Sequence, residues 1–251
     1  MELNKIYLGN AYELIKDIPD KSIDCVMMDP PYDIKGIHGS GIMATRKTGS
    51  FAKEIERDKL DVGIKFEILD ELVRVMKHIN IYIRCNKSLV LPLLKYFVEE
   101  KKCNHEILFW GKLAPIPFCG THYLCDKEYC LYFWEKDAPV YIPLERANTF
   151  YITNKNVEDK HNYSHPTIKP LNIIENLIAN STEVGGVVLD PFMGSGTTAV
   201  ACKHLNRKFI GFEINERYYK TALDRLEGFN QKGVMNLFDI DIEENKNENS
   251  N

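Results

Sequence analysis

Asp29-Pro30-Pro31-Tyr32 is the segment of this 251-residue chain whose residue types are best suited to chemistry. Two prolines fix the backbone and remove two N–H donors. The residue before a proline is pushed into an extended conformation. The result is a rigid turn presenting a carboxylate at Asp29, a carbonyl at Pro30 and an aromatic ring at Tyr32. An aromatic amine matches this set. The Asp29 side chain and the Pro30 carbonyl can each accept a hydrogen bond from an exocyclic NH2, while Tyr32 stacks on the ring. An amino nitrogen conjugated with its ring is a poor nucleophile. Two acceptors favour its pyramidal form and aim its lone pair, an electrostatic and positioning effect that needs no covalent enzyme intermediate. The structural alternative is a Pro-Pro turn between core elements.

A second segment, Asp190-Pro191-Phe192-Met193-Gly194-Ser195-Gly196-Thr197-Thr198, has the form of a strand-to-helix turn. Gly194 and Gly196 allow a sharp turn and a close approach of backbone to a ligand. It lacks the Lys of a phosphate-binding loop, and its spacing is not G-x-G-x-x-G, which favours a nucleoside without a triphosphate. Glu213 follows 17 residues after Gly196. A carboxylate there can accept hydrogen bonds from both hydroxyls of a ribose. Glycine turns are common between strands and helices, so the pairing with Asp190 and Glu213 carries the reading.

The elements that must position these segments alternate. Val26 to Met28 reads as a buried strand ending at Asp29. Ile68, Leu69, Leu72, Val73 and Met76 have helical spacing. Ile79 to Ile83 reads as a strand, and a helix is expected from Ser88 to Glu100, with Pro92 in its first turn. Ile107 to Trp110 and Tyr129 to Trp134 are aromatic strands, with a short strand expected at Thr149 to Ile152. Leu171 to Ala179 is helical, Val187 to Leu189 a strand, Thr197 to Leu205 a helix and Phe209 to Phe212 a strand. Asn215 then caps a helix to about Leu226. This alternation implies an α/β fold, a doubly wound and mostly parallel sheet covered on both faces. Ligands bind at the carboxyl ends of strands in such sheets. Asp29, Asp190 and Glu213 are then expected on one sheet edge.

The formal net charge of −4 is at first sight wrong for a nucleic-acid partner. The segment Asp239 to Asn251 has five acids and one base and carries all of it, so residues 1–238 sum to zero. Lys35, Arg46, Lys47 and Lys53 lie in a Gly/Ser-rich stretch without an acid. That stretch reads as either a phosphate-contacting loop or a solvated surface loop. No apolar run reaches the roughly 18 residues of a membrane span, and Met1 to Lys5 lacks the apolar stretch of a signal peptide, so a cytoplasmic location is expected. Seven cysteines, an odd number, argue against a disulfide framework. Cys103, Cys119, Cys125 and Cys130, with His105 and His122 among them, contain no C-x-x-C. They read as buried thiols rather than a metal site.

Together these residues resemble the N6-adenine and N4-cytosine DNA methyltransferases, specifically the permuted beta group, in which the catalytic motif precedes the glycine motif. The resemblance covers most of residues 1–228. It implies methyl transfer from S-adenosylmethionine to the exocyclic amine of a base flipped out of double-stranded DNA, with Asp29, Pro30, Pro31 and Tyr32 catalytic. His165 to Pro170 is similar to the segment before the first cofactor helix, which puts Thr167 and Lys169 near the methionine part of the cofactor. Leu8-Gly9-Asn10-Ala11 resembles a segment that touches its adenine, although that segment usually reads Gly-Asp where Asn10 stands here. The implied cofactor set is Asn10, Ala11, Asp29, Thr167, Lys169, Asp190, Pro191, Phe192, Gly194, Ser195, Gly196, Thr197, Glu213 and Ile214.

For DNA the resemblance implies Lys35, Arg46, Lys47 and Lys53. It also implies one methyltransferase domain over residues 1–238 with a target-recognition insertion at 136–165, while composition makes 35–60 a mobile basic loop and 239–251 a disordered acidic tail. A homodimer and a cognate restriction endonuclease are the partners it suggests, and no membrane is expected. Aspartate at the first motif position favours N6 of adenine over N4 of cytosine. Protein-glutamine and ribosomal RNA amino methyltransferases mostly carry Asn-Pro-Pro-Tyr with the glycine motif upstream, against the order here. A non-catalytic DNA-binding subunit has no need for Asp29, Tyr32, Gly194 and Glu213 together.

Overall fold

The computed structural model describes residues 1–31, 63–113, 123, 126–153 and 169–232. Tyr32, Lys35, Arg46, Lys47, Lys53 and Thr167 lie outside them, as do Cys119, Cys125, the whole of the 35–60 loop and the acidic tail.

Eight strands form one sheet: β1 (Lys5–Leu8), β2 (Cys25–Met28), β3 (Asn80–Cys85), β4 (Asn104–Lys112), β5 (Lys127–Trp134), β6 (Phe150–Thr153), β7 (Val187–Asp190) and β8 (Lys208–Glu213). The order across the sheet is β1-β8-β7-β2-β3-β5-β4-β6. From β1 to β3 every pairing is parallel. Strand β5 runs antiparallel to both of its neighbours, β3 and β4, and β6 pairs parallel with β4 at the far edge.

Side chains alternate faces along a strand, and here each face is covered. Val26 and Met28 point into one core with Ile81, Ile83, Leu131 and Phe133. Helix α1 (Ala11–Leu14), helix α2 (Glu67–Val75) and helix α3 (Lys87–Leu94) cover this face with Ala11, Ile68, Leu69, Leu72 and Leu93. Cys25 and Met27 point the other way, joining Tyr82, Tyr132, Val188 and Phe209. Helix α4 (Leu171–Ser181), helix α5 (Thr197–His204) and helix α6 (Glu216–Lys232) cover that face with Ile174, Leu177, Ala199, Val200 and Ala222. The sheet is doubly wound, as the alternation predicts.

Four details differ from the sequence reading. β1 was not expected: it is a four-residue edge strand, too short for a period to show. Met76 leaves the helix and bridges to Ile23 instead. Pro92 lies in the second turn of α3 rather than the first, because Asn86 caps the helix one residue before Lys87. Proline in a helix interior removes an intrahelical bond, and the chain continues after Leu94 in a wider π-helical turn over Lys95–Glu100. Finally, α6 runs past Leu226 to Lys232. Of residues 136–165, the described part holds a short 3-10 turn at Leu144–Arg146 and the edge strand β6. The described cysteines, Cys25, Cys85, Cys103, Cys130 and Cys202, are buried free thiols.

Candidate active site

The parallel strands β8, β7 and β2 are neighbours, so their carboxyl ends share one edge. Glu213 closes β8, Asp190 closes β7, and Asp29 follows β2 directly. β1 joins this edge, with Leu8 opposite Glu213 and the Gly9 N–H donating to the Glu213 carbonyl at 2.8 Å. That bond brings Asn10 and Ala11 to the same edge. The Asn10 side chain caps α1 by accepting from the Tyr12 N–H at 3.1 Å.

The glycine turn is organised by its own acids. Asp190 accepts from the Thr198 hydroxyl at 2.6 Å and from the Phe192 N–H at 3.0 Å. Burial pushes its pKa up to about 7, the two donors offset part of this, and the Asp29 and Glu213 charges add to it. Glu213 accepts from the Gly194 N–H and from the Asn215 N–H, each at 2.7 Å. Burial raises its pKa as well, against backbone N–H donors at Asn215, Gly194 and Ile214. Asn215 caps α6, its side chain accepting from the Arg217 N–H at 3.0 Å.

Gly194 and Gly196 both take left-handed backbone conformations, φ 54° and 82°. For Gly196 the crowding comes from inside the protein: a Cβ there would stand 2.9 Å from the Ala222 Cβ on α6. Its lack of a side chain therefore serves the packing of turn against helix. Ser195 and Thr197 are likewise turned inward. Their hydroxyls each lie 3.0 Å from Nη1 of the buried Arg225, which also donates to the Ser195 carbonyl at 2.7 Å. Phe192 is half-buried and meets Tyr12 edge-on at 6.4 Å, Pro191 is buried, and Ile214 is exposed.

Pro30 is buried, while Asp29 and Pro31 are partly exposed. The Asp29 carboxylate pairs with the Lys169 ammonium at 2.9 Å. Lys169 also contacts Glu128 at 3.1 Å. Glu128 in turn meets Lys112 at 2.7 Å and Arg84 at 3.6 Å. The guanidinium of Arg84 and the ammonium of Lys112 lie over the Trp110 ring at 5.8 and 5.5 Å. Burial alone would raise the Glu128 pKa, but Lys169, Lys112 and Arg84 hold it well below the usual carboxylate range. For Lys169, burial opposes the charge, and Asp29 and Glu128 outweigh it, so its pKa is raised.

A family profile described as DNA methylase matches residues 23–224. The chain belongs to this family. Among curated members it is 28% identical to the Type II methyltransferase M.BglII of Bacillus subtilis, over 90% of this chain and 69% of that protein. It is 27% identical to the DNA adenine methyltransferase YhdJ of Escherichia coli K12, over 90% and 83%. The crystal structure of M1.HpyAVI superposes with a TM-score of 0.64 at 26% identity, covering 88% of this chain and 98% of that one. The cytosine-N4-specific PvuII methyltransferase, at 17% identity and a TM-score of 0.66, shares the fold.

S-adenosylmethionine is the methyl donor of this family's chemistry, and a structure of M1.HpyAVI in complex with it is a neighbour at 28% identity. The residues at the sheet edge fit such a donor. Each carboxylate oxygen offers two lone pairs, so Glu213 can take a ribose hydroxyl on each oxygen beside its backbone N–H. Phe192, Tyr12 and Ile214 offer apolar surface for an adenine ring.

The sequence reading missed Glu128, Lys112, Arg84 and Arg225. Arg225 had a signal: Tyr218, Ala222 and Leu226 form the buried stripe of α6, and Arg225 falls on it. Glu128 had none. It is the second residue of a strand whose direction only the pairing reveals.

Proposed function

We propose that this DNA methylase transfers the methyl group of S-adenosylmethionine to N6 of adenine in double-stranded DNA. The observation that carries the reading is the position of Asp29: a carboxylate at the end of β2, next to the strand that opens the glycine turn. A carboxylate can accept several hydrogen bonds at once, so its pairing with Lys169 is compatible with accepting from a target amine. Tyr32 stacks on the flipped base. Asn10, Ala11, Phe192, Glu213 and Ile214 hold the nucleoside part of the donor. The turn from Asp190 to Thr197 supplies its backbone, and Thr167 and Lys169 lie toward the methionine part. Lys35, Arg46, Lys47 and Lys53 contact phosphates, and residues 136–165 contribute to target recognition. Relatives named as Type II methyltransferases support a restriction-linked role with a cognate endonuclease. A homodimer working in the cytoplasm completes the reading. Among the described residues no helix is long and apolar enough to cross a membrane.

The test is incubation with labelled S-adenosylmethionine and mixed-sequence DNA, then nucleoside analysis. Label in N6-methyladenine is expected; label in N4-methylcytosine alone would overturn the base assignment. Asp29→Ala should abolish transfer with donor binding retained. Loss of both would assign Asp29 to the fold instead.

A further inference from the structure

Glu128 stands at the centre of a charge cluster that neither sequence motif contains. It is the second residue of β5, opposite Trp110 on β4. Because β5 runs against its neighbours, its first residues reach the edge where the parallel strands end, beside Arg84 near the end of β3 and Lys112 at the end of β4. The Glu128 side chain is 20% exposed, Lys169 12% and Arg84 5%. Around Glu128 lie three cations, and one of them, Lys169, also holds Asp29.

Lysine is a flexible point charge on a four-carbon stem. Facing Asp29 alone, its ammonium would be drawn wholly onto that carboxylate. Glu128 also pulls on it at a similar distance, 3.1 against 2.9 Å. The ammonium is therefore shared by two carboxylates, which together fix its position. We propose that Glu128 is a positioning residue for methyl transfer: it fixes Lys169 between two carboxylates, so that Asp29 stays oriented toward the target amine. This rests on Asp29 accepting from that amine, as argued above. Among the described residues the cluster carries two negative and three positive charges. Without Glu128 the Lys169 ammonium is drawn onto Asp29, and Asp29 is turned away from the substrate.

The experiment compares wild type, Glu128→Gln, Lys169→Met, the double variant and Asp29→Asn. The initial rate on DNA and the KM for S-adenosylmethionine are measured for each, and urea unfolding confirms that each is folded. Misplacing a reacting group by about 1 Å costs about 10²-fold in rate. E128Q should thus lose about that factor in kcat while its KM for the donor stays within about threefold. The double variant removes the misplaced ammonium and should be about tenfold faster than E128Q, from the same displacement argument.

An E128Q enzyme with unchanged kcat overturns the proposal. So does a double variant no faster than E128Q, because a merely structural Glu128 gives losses that accumulate. If E128Q does not fold, Glu128→Asp keeps the charge, withdraws it by one methylene, and is judged by the same split between kcat and KM. D29N separates the two claims. If D29N keeps wild-type kcat, the reading of Asp29 itself fails. If D29N is inactive and the double variant gives no recovery, only the role of Glu128 fails.

Discussion

Asp190→Asn should remove a pH dependence of stability that the buried Asp190 carboxylate imposes. Its pKa is pushed up to about 7, mainly by burial. In an unfolded chain an aspartate titrates near 4. Between those two values the native chain binds about one proton more than the unfolded chain, so unfolding free energy falls as pH rises. The contribution is therefore fully present below about pH 4 and is lost as pH rises through about 7. Each tenfold change in proton affinity is worth about 1.4 kcal/mol, which makes the whole window about 4 kcal/mol and the part above pH 5 about 2–3 kcal/mol. Asparagine has the same shape. Its oxygen can accept from the Phe192 N–H and its NH2 can donate to the Thr198 hydroxyl, the two partners of the native carboxylate. The assay is urea unfolding of donor-free wild type and D190N at about pH 5, 6, 7 and 8, since bound ligand adds stability of its own. The stability of D190N relative to wild type should rise by about 2–3 kcal/mol across that series. A difference that does not change with pH would refute the reasoning.

Arg225→Met strips three hydrogen bonds from the glycine turn. Leaving a buried acceptor unpaired costs about 1–3 kcal/mol, so titration calorimetry should show S-adenosylmethionine binding weakened by about tenfold or more, and an unchanged Kd would remove Arg225 from the support of the turn. Gly196→Ala places a Cβ against Ala222 at a left-handed φ. A strained residue of that kind costs about 1–3 kcal/mol, and a Tm equal to wild type in a thermal melt would show that the turn gives way at no cost.

The parts of the fold that were legible are those whose signals are short-range. A run such as Val187-Val188-Leu189 announces a buried strand, and an acid at its end announces the sheet edge. What escaped was set by pairing. β1 has four residues, and only its ladder with β8 makes it a strand. The direction of β5 leaves no mark in Lys127 to Trp134, yet it decides which end of that strand meets the site. Reading ligand sites from the carboxyl ends of strands found Asp29, Asp190 and Glu213, and for the same reason passed over Glu128, which lies at the amino end of an antiparallel strand. Gly196 was legible as a turn residue, but the atom that forbids a side chain there belongs to a helix 26 residues further on.

The two halves of the site keep their carboxylates by different means, and this explains why one half was readable and the other was not. Taking a carboxylate out of water is costly unless hydrogen bonds or charges replace the solvent. The half proposed for the cofactor uses neutral donors close in sequence. Asp190 bonds to residues 2 and 8 positions away, and Glu213 to residues 2 and 19 positions away. Such a solution is written into a motif. No cation is paired with either acid among the described residues, so both pKa values are driven upward by burial. The half proposed for methyl transfer uses cations brought from distant parts of the chain: Lys169 reaches Glu128 across 41 positions and also pairs with Asp29. Here the cations outweigh burial, and the Glu128 pKa goes down. A motif cannot encode that arrangement, because it exists only once β5 has paired with β3 and β4. The glycine turn is thus built by local contacts around carboxylates that burial makes less acidic, and the far side of the site by a long-range ion cluster that holds Glu128 in charged form.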